Sequence, residues 1–121
     1  MTSYIEKYKS TNTLHKRLIL SSKLVEESPD SIPVIVARGN STSVPEISQH
    51  KFMVDQHVSY IKFTTNVRTR IDPLNSRQSI IFFVADGSIP TSNISMGEVY
   101  RRHRDRDGFL YITYAGENTF G

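Results

Sequence analysis

The chain carries the apolar run Phe-Leu-Tyr-Ile-Thr-Tyr at residues 109–114, and its fold depends on this stretch. Successive side chains of a strand point to opposite faces. Phe109, Tyr111 and Thr113 therefore share one face. The other face carries Leu110, Ile112 and Tyr114. Because large apolar side chains occur on both faces, the run predicts a strand in the interior of the protein.

Three further runs have the length and composition of strands. Residues 32–36, Ile-Pro-Val-Ile-Val, are β-branched and almost continuous, which predicts burial on both faces. Residues 79–84 form a second buried run, followed by Asp86-Gly87, a dipeptide typical of tight hairpin turns. Residues 51–54 are short and alternate only loosely.

Two helices are predicted from capping boxes. Ser3 and Glu6 have the spacing in which a serine hydroxyl and a glutamate satisfy the first turn of a helix, so a short helix opens the chain. Ser95 and Glu98 repeat the pattern and open a helix that runs to about residue 104.

Two more helices are predicted from apolar periodicity. One begins at Asn12 or Thr13, either of which is a good N-cap, and ends near residue 27, before Pro29. The other spans residues 59–70, where apolar side chains recur at helical steps.

The predicted order is α-α-β-β-α-β-α-β. From residue 32 onward this is the plan of the α+β ubiquitin-like β-grasp fold, a four-stranded mixed sheet with packed helices, and two extra N-terminal helices precede it. In that fold the first and last strands are adjacent at the centre of the sheet. We predict an N-terminal helical extension at 1–28 packed on the core, a ubiquitin-like domain at 29–116 and a flexible tail at 117–121.

Composition excludes several classes of function. The chain has 121 residues, which predicts one domain, and no cysteine, which excludes disulfides, thiolate zinc sites and a thioester on this chain. The four histidines lack ligand spacing, so no metal site is predicted. No stretch is long enough to span a membrane, and the first residues lack the apolar core of a signal peptide, so we expect a cytoplasmic protein.

Catalysis is the least favoured class. Asp105 and Asp107 could be imagined as paired carboxylates, but nothing nearby raises a pKa or supplies a pocket, so they are predicted to lie in a loop and its turn. The basic cluster at residues 101–106 is predicted to be an exposed helix face rather than a phosphate or nucleic-acid site, since it is interrupted by these carboxylates.

The sequence ends with Phe120 and Gly121. Glycine has no Cβ, so its carboxylate can enter a narrow channel and be approached closely. A flexible tail that ends on glycine suits a protein whose own carboxyl is activated and joined to an amine, although frayed termini are common in general.

Several ordered motifs point to one family. Residues 96–100 read Met-Gly-Glu-Val-Tyr, residues 107–114 Asp-Gly-Phe-Leu-Tyr-Ile-Thr-Tyr and residues 116–121 Gly-Glu-Asn-Thr-Phe-Gly. These closely resemble the C-terminal third of the autophagy ubiquitin-like modifiers, which include the GABA-receptor-associated proteins and the microtubule-associated light-chain proteins. Upstream, residues 29–36 resemble the family's first strand and its lead-in, residues 51–54 its second strand, and residues 80–84 followed by 89–92 its third strand and hairpin. The likeness covers about residues 14–121.

The resemblance implies a modifier rather than an enzyme. Separate activating, conjugating and deconjugating enzymes would act on the tail, reading Phe120 and joining Gly121 to the amino headgroup of phosphatidylethanolamine. The resemblance implies no cofactor other than this covalent lipid. A cytoplasmic monomer would then move to autophagosomal membranes and act in autophagosome formation.

The resemblance also implies an adaptor that binds cargo receptors through short aromatic-x-x-aliphatic motifs. The motif would add a strand to the edge of residues 51–54. By match of position, the aromatic pocket would use Leu24, Pro33, Ile35, Lys51, Met53 and Phe109. The aliphatic pocket would use Phe52, Val54, Val58, Phe63 and Val67. Lys51 would gate the aromatic pocket with its alkyl stem and, with Arg70, would attract acidic residues beside the motif.

Four positions near these pockets depart from the family pattern, and they bear on ligand preference: Leu20, Ser31, Asp55 and Asn66. Two other functions stay open. One is a ubiquitin-like modifier joined to a protein lysine. The other is a non-conjugated module that binds tubulin or another acidic partner through its basic N-terminal helices, whose cations are equally compatible with an ordinary solvated helix face. These cations are Lys7, Lys9, Lys16, Arg17 and Lys23.

Overall fold

The structure is a computed structural model that describes residues 3–40, 44–71 and 79–116. It confirms the predicted order of elements. The helices are α1 (Tyr4–Thr11), α2 (Leu14–Glu27), α3 (Tyr60–Ile71) and α4 (Met96–His103). The strands are β1 (Ser31–Arg38), β2 (Lys51–Asp55), β3 (Ile80–Val84) and β4 (Leu110–Gly116). None of the helices in these residues is long and apolar enough to cross a membrane.

All four helices in the described residues begin after a residue with a hydroxyl side chain. The side chains of Ser3, Thr13, Ser59 and Ser95 each accept a hydrogen bond at 3.2 Å from the backbone N–H three residues on, which satisfies a donor that has no partner within the helix. Of the two caps predicted for α2, Thr13 is the one used, and Asn12 instead ends α1.

The sheet has the strand order β2-β1-β4-β3. β1 and β4 are parallel neighbours at its centre, with Val34 opposite Leu110, and β2 and β3 pair antiparallel on the outside. This is the β-grasp arrangement predicted from the sequence. The tight turn predicted at Asp86-Gly87 is confirmed: Gly87 (φ 86°) donates its N–H to the Val84 carbonyl at 2.9 Å, and the Val84 N–H donates to the Ser88 carbonyl at 3.0 Å. The strand that pairs with β3 is β4.

Apolar side chains cover both faces of the central strands. One face packs with α3 and α4 in a large core that contains Leu110 and Ile112 of β4. The other face packs with α1 and α2 in a smaller core built from Tyr8, Ile35, Phe109 and Tyr111. The alternation predicted for residues 109–114 is therefore confirmed, and the two faces of the strand pack into different cores.

A buried ion pair joins α2 to the turn before β4. Arg17 Nη1 lies 2.6 Å from Asp107 Oδ2, and the Tyr111 hydroxyl donates to the same oxygen at 2.5 Å. The Asp107 side chain is fully buried. Burial alone lowers the pKa of Arg17, but the hydrogen bonds to Asp107 and Tyr111 raise it overall, so the guanidinium stays charged.

Both readings of Arg17 as an exposed helix cation are therefore wrong. The partner of Arg17 lies 90 residues away in the sequence, so local periodicity could not reveal it. Lys9 is also engaged, because its Nζ binds Asp105 at 2.8 Å. Asp105 and Asp107 do lie in a loop and its turn, as predicted, but both carboxylates fasten the N-terminal helices to the sheet.

The contact between α2 and this turn is close enough to require glycine. The Ser21 hydroxyl donates to the Asp107 carbonyl at 2.6 Å. Gly108 follows with φ 88°, and a Cβ added there would lie 2.3 Å from Ser21 Oγ. Only a residue without a side chain therefore fits between α2 and β4 at this point.

The outer edge of β2 has no partner strand among the described residues. The Val36 N–H donates to the His50 carbonyl at 2.8 Å, and hydrogen bonds between antiparallel strands recur at every second residue. The even-numbered residues of β2 therefore bond to β1. The backbone N–H and C=O groups of Lys51 and Met53 point away from the sheet.

The ion pair yields a test of stability. We expect Arg17→Met to lower the free energy of unfolding by about 3 kcal/mol, because it leaves the Asp107 carboxylate buried without its cation. Lys16→Met removes an exposed cation from the next position and should change stability by less than about 0.5 kcal/mol. Urea unfolding measures both, and equal effects of the two substitutions would contradict a structural role for the pair.

The edge yields a test by amide exchange. The N–H groups of Lys51 and Met53 should exchange at least about tenfold faster than those of Phe52 and Val54, because only the second pair bonds to β1. Hydrogen exchange followed by NMR compares the four amides within one strand. Uniform protection along β2 would mean that its outer edge is covered.

Candidate functional site

A cavity of about 270 Å³ opens between β2 and α3. The structure brings all five residues predicted for the aliphatic pocket to its walls. Phe52 and Phe63 meet edge to face there, with ring centroids 5.8 Å apart. The residues that line the cavity are Phe52, Met53, Val54, Asp55, Val58, Lys62, Phe63, Asn66, Val67 and Arg70. The cavity combines an apolar floor with a polar rim, which is the composition expected of a ligand pocket.

Arg70 lies on the rim of this cavity and is held in place by three contacts. Its guanidinium carbon is 5.7 Å from the centroid of the Phe52 ring. Its Nε donates to Asn66 Oδ1 at 3.3 Å, and its Nη1 donates to Gln49 Oε1 at 3.1 Å. Arg70, which was predicted to attract acidic residues beside the motif, is therefore exposed to solvent and is held in one orientation by its neighbours.

Gln49 was not predicted from the sequence. Its Nε2 donates to the Lys51 carbonyl at 3.0 Å, so it also contacts the outer edge of β2. A glutamine two residues before a short strand does not by itself indicate a binding role. Its contacts with Lys51 and Arg70 depend on the packing of α3 beside β2.

The residues predicted for the aromatic pocket gather on the opposite face of the sheet. Ile35 lies opposite Lys51, and Pro33 lies opposite Met53, in the pairing of β1 with β2. Phe109 is buried beside Ile35 in the smaller core. Leu24 is half-buried and packs against the same core. Ile35 and Phe109 thus form a floor, and the exposed Lys51 and Met53 lie at the rim.

Helix α1 adds aromatic side chains that the sequence analysis did not assign to the site. Tyr8 is 8% exposed and meets Phe109 edge to face, with ring centroids 6.3 Å apart. Lys51 Nζ lies 4.7 Å from the centroid of the Tyr8 ring, a distance at which a cation is attracted to the ring. Tyr4 stacks on His50 with centroids 3.6 Å apart. Tyr4 and Tyr8 are four residues apart, so they lie on one face of α1, and this spacing could have indicated their role from the sequence.

The contact with Tyr8 orients Lys51, the residue predicted to cover the aromatic pocket. Burial raises the pKa of Tyr8, so its hydroxyl stays neutral and its ring remains a neutral surface for the Lys51 cation. In this structure the Lys51 side chain therefore extends toward α1, on the face of the sheet that carries the predicted aromatic pocket.

The departures from the family pattern have identifiable contacts. Leu20 is half-buried and packs against the smaller core, and Asn66 holds Arg70. Ser31 lies opposite Asp55 where β1 and β2 pair. Asp55 Oδ1 accepts the His57 N–H at 2.7 Å, which closes the turn after β2.

Helix α4 presents the exposed basic face that was predicted. Arg101 and Arg102 bind Glu98 at 2.6 and 2.9 Å, within one helix surface. In residues 3–40, 44–71 and 79–116 no cluster of histidine or carboxylate side chains could hold a metal ion. The predicted attachment residues Phe120 and Gly121 lie outside the described residues.

Comparisons with known proteins agree on one family. Residues 16–121 match the model described as autophagy protein Atg8, ubiquitin-like. Autophagy-related protein 8a of Arabidopsis thaliana is 41% identical over 114 residues, which cover 94% of this chain and 92% of that protein. Autophagy-related protein 8 of Candida glabrata is 38% identical over 114 residues, covering 94% and 95%. The crystal structure of Trypanosoma brucei ATG8 superposes with a TM-score of 0.85 at 30% identity, covering 95% of this chain and 97% of that one. The chain belongs to the Atg8 family of ubiquitin-like autophagy proteins.

Proposed function

We propose that this protein is a modifier joined through Gly121 to the amino headgroup of phosphatidylethanolamine on autophagosomal membranes. The observation that carries the proposal is that the family match runs through Phe120 to Gly121. Separate enzymes would activate, transfer and release the carboxyl, because the chain has no cysteine of its own for a thioester.

The lipid would decide where the protein resides. Each buried CH₂ group contributes about 0.8 kcal/mol, so one acyl chain binds a membrane only marginally and two chains anchor it firmly. Phosphatidylethanolamine supplies two chains in a single conjugation step. The modification would thus turn a cytoplasmic protein into a membrane-bound one.

We further propose that the outer edge of β2 binds aromatic-x-x-aliphatic motifs of cargo receptors by strand addition. The support is geometric. The two candidate pockets lie on opposite faces of the sheet, one toward α1 and α2 and the other toward α3. Side chains three positions apart on an added strand also point to opposite faces, about 10 Å apart along it. A motif with two intervening residues therefore suits both pockets at once.

The affinity of one such motif would be modest. Burial of each anchor contributes roughly 1.5–3 kcal/mol, and association costs several kcal/mol of translational and rotational freedom. Many copies arrayed on a membrane would raise the avidity for a receptor that carries several motifs. Lipid attachment and motif binding thus reinforce each other.

The conjugation proposal predicts the fate of a glycine variant. Wild-type protein recovered from membranes of starved cells should carry the mass of phosphatidylethanolamine on Gly121, whereas Gly121→Ala should remain in the soluble fraction, because a Cβ obstructs close approach to the carboxyl. Intact-mass spectrometry of both fractions measures this.

The control is Gly39→Ala. An added Cβ at Gly39 would meet its neighbours at 3.5 Å or more, which is ordinary contact, so this variant should be conjugated like wild type. An unmodified wild-type chain in starved cells would contradict the proposal. A lipid-free adduct with another protein would instead select conjugation to lysine.

The groove proposal predicts a loss of peptide binding. Lys51→Ala combined with Met53→Ala should weaken binding of an aromatic-x-x-aliphatic peptide at least about tenfold, because both rim side chains of the aromatic pocket are removed. Ile61→Ala truncates an exposed side chain of α3 that does not line the β2–α3 cavity, and should change the affinity less than about twofold. Isothermal calorimetry gives both constants, and unchanged affinity in the double variant would place the site elsewhere.

A further inference from the structure

A single side-chain amide bridges the two polar features of the groove. Gln49 Nε2 donates to the Lys51 carbonyl at 3.0 Å, and Gln49 Oε1 accepts from Arg70 Nη1 at 3.1 Å. A guanidinium only donates and a backbone carbonyl only accepts, so this orientation of the amide is the one that satisfies both neighbours.

Each end of the bridge occupies a position that a ligand would use. The Lys51 carbonyl points away from the sheet and is one of the groups that would receive an N–H of an added strand. Arg70 is the exposed cation beside the β2–α3 cavity and would receive a carboxylate next to the motif. The Gln49 amide presents an N–H to the first and an oxygen to the second, as a bound peptide would.

We propose that Gln49 is a specificity-determining residue that competes with the ligand from within the chain. The inference rests on the proposed strand addition at β2. A peptide with neutral flanks displaces the amide only from Lys51. A peptide with an acidic flank displaces it from Lys51 and from Arg70, so Gln49 lowers the preference of this groove for acidic ligands.

Two of the three contacts that hold Arg70 do not involve Gln49. These are the hydrogen bond of its Nε to Asn66 and the contact of its guanidinium with the Phe52 ring. Removal of Gln49 therefore frees a cation that is already oriented, and a carboxylate binds such a cation through a charge-assisted hydrogen bond stronger than the one it replaces.

The test uses two synthetic peptides that share one aromatic-x-x-aliphatic core and differ only in flanks of glutamate or glutamine. Calorimetry with the full chain compares wild type, Gln49→Ala and the control Ser48→Ala, an exposed neighbour. Gln49→Ala should bind the glutamine-flanked peptide about twofold to threefold tighter and the glutamate-flanked peptide about fivefold to tenfold tighter, as expected for one and two hydrogen bonds. Ser48→Ala should match wild type.

A second set of measurements, made in a chain that lacks the Arg70 guanidinium, separates the Gln49–Lys51 contact from the Gln49–Arg70 contact. In an Arg70→Met chain, the gain from Gln49→Ala should be the same for both peptides and about threefold or less, because only the Lys51 contact remains to be displaced. Equal affinities of wild type and Gln49→Ala, or a gain that is independent of the flanks when Arg70 is present, overturn the inference alone. Failure of every variant to bind either peptide overturns the proposed strand addition, and the inference with it.

Discussion

The parallel pairing of β1 with β4 is the constraint on which the rest of this structure depends. It joins two strands that lie far apart in the sequence and places both at the centre of the sheet, where each is covered on two faces. Two cores follow from this, one under α3 and α4 and one under α1 and α2. It also leaves β2 at the margin, with one row of backbone groups turned outward.

The groove takes its character from both cores. The cavity toward α3 is apolar because β2 and α3 turn phenylalanine and valine side chains into it. The opposite side has an aromatic floor because α1 brings Tyr8 against Phe109. The ion pair of Arg17 with Asp107 joins α2 to the turn before β4, on the face of the sheet where Leu24 of α2 packs against the smaller core.

The sequence predicted the order of the elements and both faces of residues 109–114, because apolar periodicity and motif order are local properties. The two sets of pocket residues came from the family resemblance, and ligand binding by them stays a prediction. Prediction from the sequence failed where contacts join distant segments. In the sequence Arg17 is like any other basic residue of a helix, because its partner Asp107 lies 90 residues away. The contact of Gln49 with Arg70 likewise depends on how α3 packs beside β2. The dipeptide Asp86-Gly87 predicted a turn correctly, but the partner of β3 is set by the sheet and not by the turn.

The central position of β4 has a consequence for biosynthesis. β4 follows every other described element in the chain, yet β1 cannot be covered on its inner side until β4 is present. While the protein is made on the ribosome, the β-branched run of β1 stays without its neighbour until nearly all of these residues have been translated. The central pairing of the sheet is therefore a late event in biosynthesis, because it joins a strand made early to the last described strand.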